Sequence, residues 1–263
     1  MEQRVTFTID GGVADVRLAR PDKLNALDPA MFTAIADTLG RLAGLADLRA
    51  VVLSGEGRGF CAGLDMAAMA ALDRSGLDLS ARDYGPATLP QHVAWGWRTL
   101  PVPVIAALHG VALGGGLQIA AGADIRIAHP GTRLAIREVH WGIIPDMAGT
   151  ALWRGTVRDD HLRELIYTAR EFDAAEAERL GLVTRLAEDP HAEAMALART
   201  IAGRSPDAVR AAKRLCGRAH DAGVEALLQA ETAEQRRLIG SANQREQVRA
   251  NLENRPPVFS PAP

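Results

Sequence analysis

Cysteine is scarce in this chain of 263 residues, with Cys61 and Cys216 alone. Two such residues without metal-ligand spacing cannot build a disulfide framework or a zinc site, and a reduced, cytoplasmic setting is expected. An excess of charge is also lacking. The formal net charge is −2 with 24% charged residues, so neither a nucleic-acid partner nor a like-charged binding tail is indicated. Charges or prolines interrupt every apolar run before membrane-spanning length, and no membrane association is expected. The N-terminus Met1-Glu2-Gln3-Arg4-Val5-Thr6-Phe7-Thr8 has no apolar core behind positive charge, which argues against a signal peptide. Internal repeats and low-complexity segments are missing too.

Several mechanisms fall with their motifs. No Gly-x-Ser-x-Gly elbow occurs, because Ser54 follows Val52 and Leu53, and there is no phosphate-binding P-loop or dinucleotide fingerprint. The seven histidines are scattered, so no metal is expected. His109 precedes glycines as in hydrolase oxyanion loops, but no nucleophile accompanies it.

What is present is 48% hydrophobic residues, enough for one large domain or a domain with an appendage. Val5–Ile9 and Val13–Leu18 alternate around Asp10-Gly11-Gly12, a hairpin signal. Asp28-Pro29 opens a helix to about Gly44, with Met31, Ile35, Leu39 and Leu42 inward. Arg49–Ser54 reads as a buried parallel strand ending in a glycine-punctuated loop and a short helix near Met66. Residues 67–90 read as a partly mobile excursion, followed by a helix through Trp95 and Trp97. Strands at 103–108 and 124–128, with a helix near 115–121, continue the pattern. Helices are then expected at 158–169, 173–180, 190–203, 206–217, 221–239 and 242–254. Alternating strand and helix followed by helices alone gives an α/β fold. The division expected is an α/β core over 1–195 and a helical region over 196–263.

Two strand–loop–helix junctions, Ala62-Gly63-Leu64 and Gly114-Gly115-Gly116, carry the chemistry. Each can present one free N–H from a helix start or turn, or can simply mark close backbone packing. Two converging N–H groups would make an oxyanion hole, each donor stabilising a negative oxygen by roughly 3 kcal/mol. Gln118 follows Gly115 by three residues and projects toward the same end; it can hold a water or a carbonyl but takes no proton. Glu138 and Asp146 flank Gly142 and Pro145. Their plain readings are an Arg137–Glu138 pair and a helix cap by Asp146. Cys61, His140 and Trp141 read as packing residues, as do Trp95 and Trp97, although either of the last two suits an acyl pocket.

Arg20-Pro21-Asp22-Lys23-Leu24-Asn25-Ala26-Leu27, Gly59-Phe60-Cys61-Ala62-Gly63-Leu64-Asp65, Gly114-Gly115-Gly116 and Gly142-Ile143-Ile144-Pro145 stand in the order and spacing of the crotonase family. The chain resembles these enoyl-CoA hydratases and isomerases over its whole length, to Asn254-Arg255-Pro256-Pro257-Val258-Phe259. The resemblance implies a superhelix of β-β-α units with a C-terminal helical region that builds trimers or hexamers. It implies an acyl-CoA substrate, with no cofactor beyond the coenzyme A of that substrate. It places the oxyanion N–H groups at Leu64 and Gly115. Lys23, Leu24, Ala26, Ala62, Asp65 and Met66 fall on the walls that contact coenzyme A.

Family hydratases use two glutamates, the second matching Glu138 and the first matching Gln118. With one carboxylate replaced by an amide, double-bond isomerisation is expected in preference to hydration. Dienoyl-CoA isomerases of the family carry an aspartate where this chain has Asp146. They also carry an acid where it has Gln118. Paired carboxylates facing one substrate would split into an acid and a base. Hydration, bond cleavage with Asp146 as nucleophile, and a non-catalytic acyl-CoA-binding protein remain as alternatives.

Overall fold

The computed structural model describes residues 3–68 and 80–261. The expected excursion over 67–90 therefore lies partly outside the described residues, at 69–79. Strands β1 (Val5–Asp10) and β2 (Val13–Leu18) pair antiparallel with Asp10 opposite Val13. Their two-residue turn needs positive φ at both positions, which Gly11 (+55°) and Gly12 (+79°) supply. Helix α1 (Pro29–Ala43) starts at Asp28, whose carboxylate accepts the Met31 N–H at 2.8 Å. It buries Met31, Ile35, Leu39 and Leu42 as expected.

Strand β3 (Ala50–Gly55) runs parallel to β2 and to β4 (Val104–Leu108). Buried parallel strands read as continuous apolar runs, which is why both were visible in the sequence. Helix α2 (Leu89–Thr99) precedes β4 and is closed by a reciprocal capping box between Thr88 and Gln91. After β4 come the short β5 (Val111–Leu113), helix α3 (Gly115–Gly122), β6 (Ile125–Ala128) and β7 (Arg133–Ala135). Helices α4 (Gly149–Trp153) and α5 (Asp159–Thr168), strand β8 (Glu171–Asp173), α6 (Ala174–Leu180) and β9 (Arg185–Leu186) follow. Four helices end the chain: α7 (Pro190–Ala202), α8 (Pro206–Arg218), α9 (Val224–Leu238) and α10 (Ala242–Leu252).

A six-stranded sheet of order β1-β2-β3-β4-β6-β9 stands against a three-stranded sheet of order β5-β7-β8. This is the α/β architecture of stacked sheets that the resemblance implied. Strands β5, β7, β8 and β9 were absent from the sequence reading. Two or three residues are too short for a period-two pattern to register. Asp124, expected inside a strand, precedes β6; its carboxylate accepts the Val104 N–H at 2.7 Å and pairs with Lys213 at 2.8 Å.

The main core lies on one face of the large sheet, beneath α1, α2 and α3. Ala194 and Ala198 of α7 cover the opposite face over Val13, Ala50, Val52, Ile105 and Ile127. Helix α7 runs through positions 195 and 196. Helix α8 is tied back by the Lys213 ammonium, which donates to Val102 O at 2.7 Å and Trp97 O at 3.2 Å. Helices α9 and α10 leave Val224, Leu228, Val248 and Leu252 exposed. Among the described residues no helix is long and apolar enough to cross a membrane.

Helices α2 and α3 touch backbone to backbone. A Cβ on Gly122 would sit 2.0 Å from Ala94 O. Alanine is a better helix former than glycine by about 1 kcal/mol, but overpacking of this kind costs about 1–3 kcal/mol. Gly122→Ala should therefore lower unfolding stability by about 1–2 kcal/mol in urea titrations. A variant more stable than the parent would overturn this account of the helix crossing.

Candidate active site

Three backbone segments meet where the two glycine junctions fold together. Ala62 N–H donates to Leu24 O at 2.9 Å, Leu27 N–H to Gly63 O at 2.8 Å, and Asp65 N–H to Leu27 O at 3.0 Å. On the other side, Cys61 N–H donates to Val111 O at 3.0 Å and Leu113 N–H to Cys61 O at 3.0 Å. Leu27 and Leu64 pair as an isolated parallel bridge. Among the described residues, no acceptor meets the N–H of Leu64 or that of Gly115. Both residues line one cleft with Ala62, Met66, Glu138 and Trp141.

Glycine is required at these junctions for separate reasons. Gly63 has φ +87°, and a Cβ there would stand 2.7 Å from Leu113 O. Gly114, the N-cap of α3, takes φ +51° and ψ −121°, a combination closed to other residues. On Gly115 a Cβ would meet Met147 Sδ at 2.8 Å and Leu27 Cδ1 at 2.9 Å. On Gly116 it would lie 2.4 Å from Cys61 O. Close packing and a presented N–H thus coexist in one stretch.

Asn25 was missed by the sequence reading and holds this junction in place. It is fully buried with φ +55°. Its Oδ1 accepts the Arg20 N–H at 2.8 Å, and its Nδ2 reaches Glu56 O, Gly59 O and Phe60 O at 2.9, 2.9 and 3.2 Å. Asparagine's tolerance of the left-handed region was the available signal. Cys61 is buried, donates to Asn25 O at 3.1 Å, and burial pushes its thiol up to about 12. It packs and stays protonated.

The two candidate carboxylates lie near Gln118, itself fully buried. Its Oε1 accepts the Met147 and Gly149 N–H groups, both at 2.9 Å. Those two donors fix the amide orientation, so Nε2 is the end that donates to Glu138 Oε1 at 2.6 Å. The donors converge because the intervening Ala148 is left-handed, at φ +68°, which curls the chain into a small nest. Gly149 must lack a side chain, since a Cβ would crowd Gln118 Oε1 at 2.7 Å.

Glu138 begins a 3-10 turn (Glu138–Trp141) and is buried. Its Oε2 is also buried and has no protein partner among the described residues. Burial, reinforced by the charge of Asp146, pushes its carboxyl above the ordinary glutamate value; its own N–H and the Gln118 donor oppose the rise. Asp146 is exposed on its outer side, yet burial of its carboxyl still raises it. Neither plain reading of these carboxylates describes the structure. Arg137 pairs with Glu171 at 3.3 Å rather than with Glu138, and α4 starts at Gly149 with Ala148 as its cap, not Asp146.

The other expected site residues divide. Ala62 and Met66 line the cleft. Lys23 is exposed on a 3-10 turn, Leu24 is half-buried and left-handed, and Ala26 is buried. Asp65 pairs with Arg20 at 2.8 Å, which holds its carboxyl below the usual range, and it accepts the Ala67 N–H at 3.0 Å. Trp97 is core, Trp95 packs against it, and Trp141 instead stands 52% exposed in the cleft.

The chain is similar to known proteins over most of its length. The family pattern for enoyl-CoA hydratase/isomerase matches residues 8–261. A probable enoyl-CoA hydratase of Mycobacterium bovis is 34% identical, covering 95% of each chain. A mitochondrial Delta(3,5)-Delta(2,4)-dienoyl-CoA isomerase of Mus musculus is 33% identical, covering 76% of this chain and 64% of its own. The crystal structure of a putative enoyl-CoA hydratase from Streptomyces coelicolor superposes with a TM-score of 0.89 at 36% identity, covering 98% of this chain and 94% of that one.

The raised Glu138 carboxyl has a consequence for stability. Because its folded value exceeds the unfolded one, ionising it costs stability. The cost is absent below the unfolded value of about 4.3, grows as pH rises toward the folded value, and is complete above that. Glu138→Gln keeps an oxygen for Gln118 to donate to and removes the charge. Its melting temperature should match or exceed that of the parent at pH 7, with the advantage vanishing near pH 4. A variant less stable at pH 7 than at pH 4, relative to the parent, would overturn the assignment.

Proposed function

The chain belongs to the enoyl-CoA hydratase/isomerase family, and on that premise we propose that it shifts the double bond of an unsaturated acyl-CoA. In this reading the thioester oxygen accepts from the N–H groups of Leu64 and Gly115. Glu138 removes a proton from the carbon between the carbonyl and the double bond. The charge passes to the thioester oxygen as a dienolate, and the same proton returns at the far carbon, leaving the double bond conjugated with the thioester. No atom is gained or lost, so one carboxylate suffices. Asp146 is assigned the second acid–base position, and coenzyme A is assigned the walls at Lys23, Leu24, Ala26, Ala62, Asp65 and Met66.

The observation that carries this reading is the bonding of Gln118. Both lone-pair directions of its oxygen are taken by Met147 and Gly149, and its nitrogen serves Glu138. It is thereby a positioning group for the base and is poorly disposed to accept a proton from water. Hydration is the second reading, favoured by the names that the Mycobacterium bovis and Streptomyces coelicolor relatives carry. The exposed apolar positions on α9 and α10 support assembly of several copies, a trimer or hexamer.

Absorbance of the conjugated thioester separates the two readings. The protein should convert 3-enoyl-CoA to 2-enoyl-CoA faster than it hydrates 2-enoyl-CoA, and Glu138→Gln should lose about 10²–10⁴-fold in kcat. The opposite order of rates would replace isomerisation with hydration. Gln118→Glu keeps an acceptor for both backbone donors while supplying a second acid. It should raise the ratio of hydration to isomerisation, and an unchanged ratio would deny Gln118 its assigned part.

A further inference from the structure

A tryptophan half open to solvent needs a reason, because it leaves the largest apolar side chain of the protein in water. Of the four tryptophans, Trp97 and Trp153 are 0% and 2% exposed and Trp95 packs against the core, whereas Trp141 is 52% exposed. It ends the 3-10 turn Glu138–Trp141. With three residues per turn, positions i and i+3 eclipse, so Trp141 stands on the same side of the turn as Glu138. Both line the cleft that holds the two free N–H groups, together with Leu64, Met66, Leu113 and Ile143. The His140 ring meets the indole nearly at right angles, 87° with centroids 5.0 Å apart.

We propose that Trp141 is a specificity-determining residue whose indole receives the acyl carbons beyond the reacting double bond, selecting extended apolar acyl groups over short or polar ones. The reasoning rests on the acyl-CoA reading of the cleft above. Fixing the oxygen at Leu64 and Gly115 and the reacting carbon at Glu138 leaves the acyl chain to run along the next apolar wall. Trp141 is one turn away from the base and supplies that wall. Each methylene laid on it should tighten binding by roughly fourfold, the equivalent of about 0.8 kcal/mol.

Saturated acyl-CoA thioesters of four to eight acyl carbons test this without any turnover. For the parent protein, Kd should fall steadily with chain length, and octanoyl-CoA should protect Trp141 from acrylamide quenching of its fluorescence more than butanoyl-CoA does. In Trp141→Ala the dependence of Kd on length should flatten, and Trp141→Phe should retain most of it. Equal length dependence in the parent and Trp141→Ala, or quenching indifferent to bound octanoyl-CoA, would overturn the proposal. Because these thioesters have no double bond to move, the outcome is separable from whether the enzyme isomerises or hydrates. No binding of any acyl-CoA would instead strike at the reading of the cleft itself.

Discussion

The side-chain amide of Gln118 is the constraint on which the acid–base centre depends. An amide has an acceptor end and a donor end, and here the surroundings use both. The nest at Met147 and Gly149 demands an oxygen, and Glu138 demands a hydrogen. A carboxylate at 118 would satisfy the nest but would face Glu138 with a second negative charge inside a buried site. An apolar residue would leave two backbone N–H groups and one carboxylate oxygen without partners, each costing about 1–3 kcal/mol. Glutamine meets both demands. The left-handed Ala148 and the bare Gly149 are consequences of the same bond, since without them the two N–H groups would not converge.

A second layer of constraint comes from how close the backbones run. Segments 24–27, 61–65 and 111–115 lie side by side with no side chain between them, and Asn25 replaces the missing sheet partners with its own amide. The glycines are spent on proximity, and proximity brings Leu64 and Gly115 to one cleft. Rigid placement matters more than donor strength here. A hydrogen bond to a developing oxyanion is useful only if its donor needs no reorganisation when the charge appears.

The sequence displayed features whose cause is local. The Gly11-Gly12 turn, the Asp28 cap with Pro29, and the apolar β3 and β4 are each specified within a few residues, and all are present. What it concealed depends on partners distant along the chain. The pairing of β5 with β7 is too short to leave a pattern. Asn25 looks like a loop residue until its acceptors, more than 30 positions away, are in place. Gln118 was legible as pointing toward the glycine end of its helix, whereas its bond to Glu138 and its nest, 20 and 29–31 positions on, were not. Trp141 read as packing because exposure is a property of the assembled surface.

The electrostatics of the centre fit a charge that moves without changing in amount. In the proposed reaction the negative charge sits on Glu138 before proton transfer; afterwards Glu138 is neutral and the charge is on the thioester oxygen. Burial and Asp146 make the first arrangement costly, which strengthens Glu138 as a base. In that proposal the N–H groups of Leu64 and Gly115 favour the second, by roughly 3 kcal/mol for each donor. Raising the base too far would defeat the purpose, because a glutamate protonated at neutral pH abstracts nothing. The Gln118 N–H bears on that limit. It donates to the ionised form at 2.6 Å and pulls the carboxyl back down. The amide that removes a second acid from the site thus keeps the remaining one usable as a base.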